Sequence, residues 1–240
     1  MSDKTSLGDR MKRYEGVSQS SLMPRTPVII RLDGKAFHTF TKKINKDNDK
    51  SLIDGPFSEK LHIVMEQTML ALCDNIQNAR FGYTQSDEIS ILLTDWKKLT
   101  TDQWFGGNIQ KIVSVAASMA TAHFNRCFKA EFTDVDSLAF FDARVFNLPK
   151  EEVTNYFIWR QQDASRNSVQ MLGHWYFSQN QMHCKNVSQI QDMLMLANNV
   201  NWNDLATWKK RGSCCWPASW TDNEIPIFTQ DREYIEMRLE

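Results

Sequence analysis

The stretch from Ala79 to Leu93 constrains the fold more than any other part of the chain, because two β-strand patterns meet there with almost nothing between them. Ala79–Gln85 and Ile89–Leu93 are rich in aromatic and β-branched residues, and only the polar triplet Ser86-Asp87-Glu88 separates them. Two strand patterns joined by so short a connection are typical of a β-hairpin. We therefore predict an antiparallel pair of strands with carboxylates at its turn.

The segments before and after the hairpin complete the order of elements of a known fold class. Pro27–Gly34 has the pattern of a short strand, in which alternation puts Arg31 and Asp33 on one face and Ile30 and Leu32 on the other. Apolar residues recur at helical spacing before and after the hairpin, over Phe57–Cys73 and Ile109–Cys127. A last strand pattern covers Leu138–Pro149 and ends at its proline. The order strand, helix, strand, strand, helix, strand predicts an α+β, ferredoxin-like (split βαβ) fold, with both helices on one face of an antiparallel sheet.

The last part of the chain has helical rather than strand periodicity. Apolar residues at helical spacing continue from Asn155, and Ser188 and Gln191 stand in the register of a helix capping box. We therefore predict a core over residues 1–150 and a helical extension over residues 151–240 that packs on it.

Two distant carboxylates are expected to meet in this topology. The first strand and the hairpin are neighbours in a split βαβ sheet, so Asp33 and Asp87 converge at one end of it. The two carboxylates repel each other unless a cation lies between them. Mg²⁺ prefers carboxylates together with substrate phosphates as ligands. The alternative for each aspartate is an ordinary solvated turn residue. Glu88 is a ligand, an orienter of a basic side chain, or simply the first polar residue of its strand.

The segment after Asp33 suggests a phosphate site. Gly34 allows close approach of the backbone, and the amides of 35–38 are predicted to turn around a triphosphate. His38 is a phosphate ligand or, beside two phenylalanines, a partly buried histidine with a structural role. The lysine-rich stretches Thr41–Lys50 and Trp208–Gly212 have turn-like sequences, which predicts solvated loops, with phosphate contact as the alternative.

Composition excludes little beyond membrane insertion. The formal net charge is -1, so no global basic field points to a nucleic acid. No apolar run approaches the roughly 20 residues of a membrane span, and the first residues contain no signal-peptide core. The five cysteines form no C-x-x-C pair. We predict reduced thiols, no membrane partner and a cytoplasmic protein.

Four blocks in order resemble the tRNA-His guanylyltransferase family, including its bacterial and archaeal-type guanylyltransferase-like 3′-to-5′ polymerases. The blocks are RLDGKAFHTF, GYTQSDEISILL, FFDARVFNLP and WRQQDASRNSVQ. The resemblance implies a polymerase-type palm that adds nucleotides to the 5′ end of tRNA, with GTP and ATP as substrates, in a homotetramer.

The resemblance also implies roles for individual residues. Asp33, the carbonyl of Gly34 and Asp87 are expected to hold two Mg²⁺ ions, with Glu88 assisting Asp33 and Asp87 in catalysis. The expected nucleotide-binding residues are Asp33, Gly34, Lys35, Ala36, Phe37, His38, Lys46, Ser86, Asp87 and Lys111.

One departure from the family pattern bears on the reaction. The eukaryotic enzymes have His-Ile-Asn where this chain has Ser165-Arg166-Asn167. This favours template-dependent repair of a truncated tRNA 5′ end over addition of a single guanosine to tRNA-His. A helix surface and a helix cap are the structural alternatives for Arg166 and Asn167. The alternative functions are a palm-type nucleotidyl cyclase and a non-catalytic ferredoxin-like RNA-binding module.

Overall fold

The structure is a computed structural model that describes residues 6–47 and 56–239, with the backbone alone for residues 43–47. The strands are β1 (Val28–Gly34), β2 (Ala79–Gln85), β3 (Glu88–Leu93), β4 (Phe141–Asn147) and β5 (Ser213–Cys215). The α-helices are α1 (Leu7–Gly16), α2 (Phe37–Asp47), α3 (Glu59–Asn75), α4 (Ile109–Glu131), α5 (Val153–Tyr176), α6 (Gln179–Met182), α7 (Val187–Asn198), α8 (Thr207–Arg211) and α9 (Glu233–Glu236). Short 3₁₀ turns cover Trp104–Gly107, Lys150–Glu152 and Trp202–Asp204.

The sheet confirms the predicted fold class. Its strand order is β4-β1-β3-β2-β5, and every pairing is antiparallel. The first four strands have the order of a split βαβ fold. Sequence analysis missed β5, which pairs with β2 from within the C-terminal extension, so this extension is not purely helical.

Helices α3 and α4 cover one face of the sheet, as predicted. Their apolar stripes pack on alternate strand residues such as Ile30 and Leu32, in a core that also holds Phe124 and Phe128. Both helices begin at capping residues, since Ser58 accepts from the amide of Leu61 and Asn108 from that of Lys111.

The C-terminal extension covers the other face. Phe157 of α5, together with Phe228 and Ile235 from the end of the chain, packs on Ile29 and Phe81. The same sheet therefore has an apolar core on each side. Among the described helices, none has the length and apolar character that crossing a membrane requires.

Several boundaries differ from the predictions. The hairpin turn is Ser86–Asp87, one residue shorter than predicted, because Glu88 already pairs with Gln85 in the β2–β3 ladder. The lysine-rich segment predicted as a loop from Thr41 is helical through Asp47. The capping box of α7 is formed by Asn186 and Gln189, not by Ser188 and Gln191.

Candidate active site

Asp33 and Asp87 lie next to each other at one end of the sheet. β1 and β3 run antiparallel, and Asp33 stands opposite Glu88, the residue that follows Asp87. The amide of Gly34 donates a hydrogen bond of 3.0 Å to the carbonyl of Asp87. The strand end that carries one carboxylate is thus tied directly to the hairpin turn that carries the other.

The electrostatics of this pair suit a bound cation. Burial raises the pKa of Asp87 above its ordinary value, and the negative charge of Asp33 raises that pKa further. Neither carboxylate forms a salt bridge with a basic side chain in the described ranges. A divalent cation between them would relieve the repulsion and favour the ionised form of both.

The donor set fits Mg²⁺ in particular. It contains two carboxylates and the backbone carbonyl of Gly34, all of them hard oxygen ligands. Within residues 6–47 and 56–239, no group of three or more His, Cys, Asp or Glu side chains is arranged to hold a metal ion. Such a sparse set matches Mg²⁺ sites, where water and substrate phosphates supply the remaining ligands.

A strand-turn-helix follows Asp33 because of how Gly34 packs. A Cβ on Gly34 would lie 2.2 Å from the ring of Phe37, so no other residue fits under that ring. Phe37 is held by edge contacts with Phe124 and Phe141. Ala36 takes a left-handed φ of 53° at the start of α2, and the helix then begins beside the carboxylates. The first amides of a helix have no partners within it and attract anions.

An open cleft of about 830 Å³ joins these features. One wall consists of Asp33, His38 and the hairpin from Gln85 to Glu88. The other wall is a stripe of α5 at helical spacing, formed by Asp163, Asn167, Gln170 and His174 together with the apolar residues Met171 and Trp175. Polar and apolar side chains therefore share the lining, and the cleft is large enough for a nucleotide.

Glu88 is engaged by a residue that sequence analysis missed. Arg160 of α5 grips its carboxylate with two hydrogen bonds of 2.7 and 2.8 Å, and both side chains are buried. Burial acts to lower the pKa of Arg160, but Glu88 and Asp163 raise it above its ordinary value, so the guanidinium stays charged. Of the three roles left open for Glu88, the geometry matches the orienter of a basic side chain. Arg160 could have been identified as a site residue from its place in the WRQQD block.

Arg166 and Asn167 extend this network along α5. Arg166 forms an ion pair with Asp163, whose other carboxylate oxygen accepts a 2.9 Å hydrogen bond from Arg160. Asn167 lies 3.5 Å from the same carboxylate and lines the cleft. Because both residues lie in the middle of α5, neither is a helix cap.

The predicted nucleotide-binding segments are only partly available for that role. The amide of Lys35 donates to the carbonyl of Phe140 at 2.8 Å, so it is not free to contact a triphosphate. The Phe37 side chain is buried, so this residue offers only its amide. Ala36, His38 and Ser86 are exposed beside Asp33 and Asp87. The side chain of Lys46 lies outside the described part of the structure.

Lys111 lies far from the other predicted nucleotide-binding residues. It lies in the first turn of α4, which packs near Val28 and Leu93, and its Nζ lies 5.5 Å from the ring centroid of Phe105. Val28 and Leu93 form the opposite end of the β1–β3 pair from Asp33, roughly 17 Å away along the strands. Lys111 therefore lies apart from the Asp33–Asp87 cleft in this chain, and its contact with a triphosphate stays a prediction.

A family model and a named relative agree on one family. A family model described as tRNAHis guanylyltransferase matches residues 8–149. A tRNA(His) guanylyltransferase of Kluyveromyces lactis is 28% identical over 222 residues, which cover 84% of this chain and 88% of that protein. An uncharacterized protein of Acanthamoeba polyphaga mimivirus is 30% identical over 229 residues, covering 86% of this chain and 75% of that protein.

Solved structures give the same result. A bacterial tRNA(His) guanylyltransferase-like protein in complex with ATP superposes with a TM-score of 0.90 at 47% identity, covering 98% of this chain and 99% of that one. A bacterial protein of the same description in complex with GTP has a TM-score of 0.77 at 43% identity, with the same coverage.

Proposed function

Because the chain belongs to the tRNAHis guanylyltransferase family, we propose that this nucleotidyltransferase adds nucleotides in the 3′-to-5′ direction to the 5′ end of tRNA. The observation that carries the proposal is the junction of β1 with the hairpin, where Gly34 is hydrogen-bonded to the backbone of Asp87 at 3.0 Å. That junction brings two carboxylates, a backbone carbonyl and a helix N-terminus to one cleft. Family membership also argues against a cyclase and a non-catalytic RNA-binding module.

Asp33, Asp87 and the carbonyl of Gly34 would hold Mg²⁺ in this reaction. Two bound ions would supply charge neutralisation for the attacking and leaving oxygens of phosphoryl transfer. The chain itself has few other demands to meet, since phosphoryl transfer depends on positioning and charge more than on a strong base. Glu88, held by Arg160, positions the end of β3 and with it the hairpin turn.

GTP and ATP are the proposed nucleotide substrates, in line with the ligands of the two bacterial relatives. The N-terminus of α2, with the amides of Phe37 and His38, would bind the polyphosphate. Ser86 and His38, which line the same wall of the cleft, would contact it as well. The 3′-hydroxyl of the incoming nucleotide would then displace pyrophosphate from a 5′-triphosphate end.

Removal of either aspartate tests the site. Asp33→Ala and Asp87→Ala should each lower incorporation of labelled GTP into a 5′-truncated tRNA by roughly 10³-fold, because a metal ligand is lost as well as a charge. Asp192→Ala is the matched control, since Asp192 is exposed on α7, and it should keep wild-type activity. Wild-type incorporation by Asp33→Ala or Asp87→Ala, in proteins with an unchanged circular dichroism spectrum, contradicts the proposed site.

We propose further that the enzyme selects the added nucleotide by copying a template. This proposal is supported by Ser165-Arg166-Asn167, where the eukaryotic pattern has His-Ile-Asn, since Asn167 lines the cleft. Four tRNA transcripts that lack the first nucleotide, each with a different base opposite the gap, should be extended with the complementary nucleotide. Product sequencing reads the outcome. Addition of guanosine regardless of the opposing base means that the enzyme does not copy a template.

A homotetramer and a cytoplasmic location belong to the same proposal. The first follows from the family resemblance, and the second from the composition and the cysteine pattern. Light scattering coupled to size-exclusion chromatography measures the mass of the assembly, for which one chain contributes 28.0 kDa.

A further inference from the structure

A basic and aromatic surface lies beside Asp33, outside the cleft. It consists of Arg31, Arg144 and Trp159, and we call it the β4 shelf because it borders the edge strand β4. None of the three residues lines the cleft that Asp33 shares with the hairpin. The shelf is therefore a second surface that reaches the same pair of carboxylates.

The register of the sheet puts the two arginines together. Arg31 stands directly opposite Arg144 in the β1–β4 pair, and Asp33 stands opposite Asp142 one step further along the same face. Alternate residues Ile29 and Phe146 contact the core under α5, so Arg31 and Arg144 also face the α5 side. Arg31 is two residues from Asp33, or roughly 7 Å along the strand.

The two arginines of the shelf differ in exposure. The side chain of Arg31 is 18% exposed, and its Nε is buried without a hydrogen-bond partner in the described part of the chain, 4.0 Å from the Glu88 carboxylate that Arg160 binds. Arg144 has a side chain that is 56% exposed, with Asp142 at 3.8 Å as its ion-pair partner. Arg144 is therefore the guanidinium that an anion can reach, while Arg31 lies largely buried beside it.

Trp159 completes the surface with an exposed aromatic ring. It is 50% exposed, although it packs on a buried neighbour. The guanidinium of Arg160 lies 4.5 Å from its ring centroid. Tyr156 meets this ring edge-on and also meets Phe146 of β4 edge-on, which connects Trp159 to the edge strand. A ring held in this way is a rigid platform on which a base can stack.

We propose that the β4 shelf binds the end of the tRNA acceptor stem, with Trp159 stacking on a terminal base and Arg144 contacting a backbone phosphate. This inference rests on the proposed function and adds the surface that delivers the RNA end to Asp33 and Asp87. Guanidinium groups beside an exposed aromatic ring are the chemistry by which proteins bind nucleic acid ends without reading sequence. The triphosphate would occupy the α2 side of the carboxylates and leave the shelf to the RNA.

Binding measurements test the shelf separately from catalysis. The probe is a 5′-monophosphorylated tRNA transcript without its first nucleotide, and its Kd is measured by fluorescence anisotropy with Mg²⁺ and no nucleotide. Trp159→Ala should raise this Kd roughly tenfold. Arg144→Ala should raise it as well and reduce the salt dependence of log Kd by about one contact. The Kd for GTP should stay unchanged in both variants.

Matched controls use exposed residues of the same type elsewhere. Trp220→Ala removes a tryptophan that is 78% exposed, and Arg126→Ala removes an exposed arginine on α4. Both should bind the transcript with the wild-type Kd. The proposal that the shelf binds the RNA end is contradicted if Trp159→Ala or Arg144→Ala has the wild-type Kd for the transcript. It is also contradicted if either variant loses as much affinity for GTP as for the transcript.

The two proposals fail in different ways. If the wild-type protein extends the transcript while the shelf variants bind it normally, only the shelf is wrong. If the wild-type protein binds the transcript through the shelf but extends no tRNA, the shelf stands and the proposed reaction is wrong. If the wild-type protein does not bind the transcript at all, both are wrong.

Discussion

At the scale of single residues, the ion pair between Glu88 and Arg160 is the most consequential contact near the carboxylates. Both side chains are buried, and the pair is bidentate at 2.7 and 2.8 Å. Removing one partner from a buried pair leaves the other charge without compensation. We therefore expect Arg160→Met to lower the free energy of unfolding by roughly 3–5 kcal/mol, measured by urea denaturation.

The double variant separates the charge from the packing. Glu88→Leu combined with Arg160→Met replaces the pair by apolar side chains and should regain most of the lost stability. Arg232→Met is the control, because Arg232 pairs with Glu236 at 3.4 Å while both side chains are about half exposed, at 44% and 51%. Its effect should stay within roughly 1 kcal/mol. A wild-type urea midpoint for Arg160→Met would show that the pair contributes nothing to stability.

At the scale of elements, local pattern was sufficient for the hairpin but not for α2. Alternating apolar residues on both sides of Ser86 predict β2 and β3 from the sequence alone. Residues 41–47 are rich in Lys, Asn and Asp and have no apolar stripe of their own. What makes α2 a helix is the docking of Phe37 and Phe40 against Phe124 and Phe128, a contact between distant parts of the chain.

Only part of the candidate site could likewise be predicted from the sequence. Asp33 and Asp87 were predicted to meet because the split βαβ order alone makes β1 and β3 neighbours. Arg160 was not, since its contact depends on how α5 crosses the sheet, which no local pattern specifies. The three residues of β5 are likewise too few for a strand pattern, and their pairing with β2 is visible only in the folded chain.

At the scale of the whole molecule, the sheet has a core on each face, and the second core depends on the C-terminal extension. Residues 151–240 contribute Val153, Phe157 and Phe228 to it. The sheet contributes Ile29, Phe81, Tyr83 and Leu92. The division into a core over 1–150 and an extension over 151–240 stays a prediction, and the shared apolar face argues that the first part does not fold alone.

Truncation after residue 150 tests this dependence. It would expose Ile29, Phe81, Tyr83 and Leu92, at roughly 2 kcal/mol each or roughly 8 kcal/mol together, against a typical total stability of about 5–15 kcal/mol. We therefore expect the 1–150 fragment to lack a cooperative thermal transition by near-ultraviolet circular dichroism, and the full chain to unfold in one. Deletion of residues 1–16 is the control, because α1 has no buried residue, and it should preserve that transition. Cooperative unfolding of the 1–150 fragment would instead mean that the sheet is stable with one face uncovered, and that the extension is a separate unit which supplies only the α5 wall of the cleft.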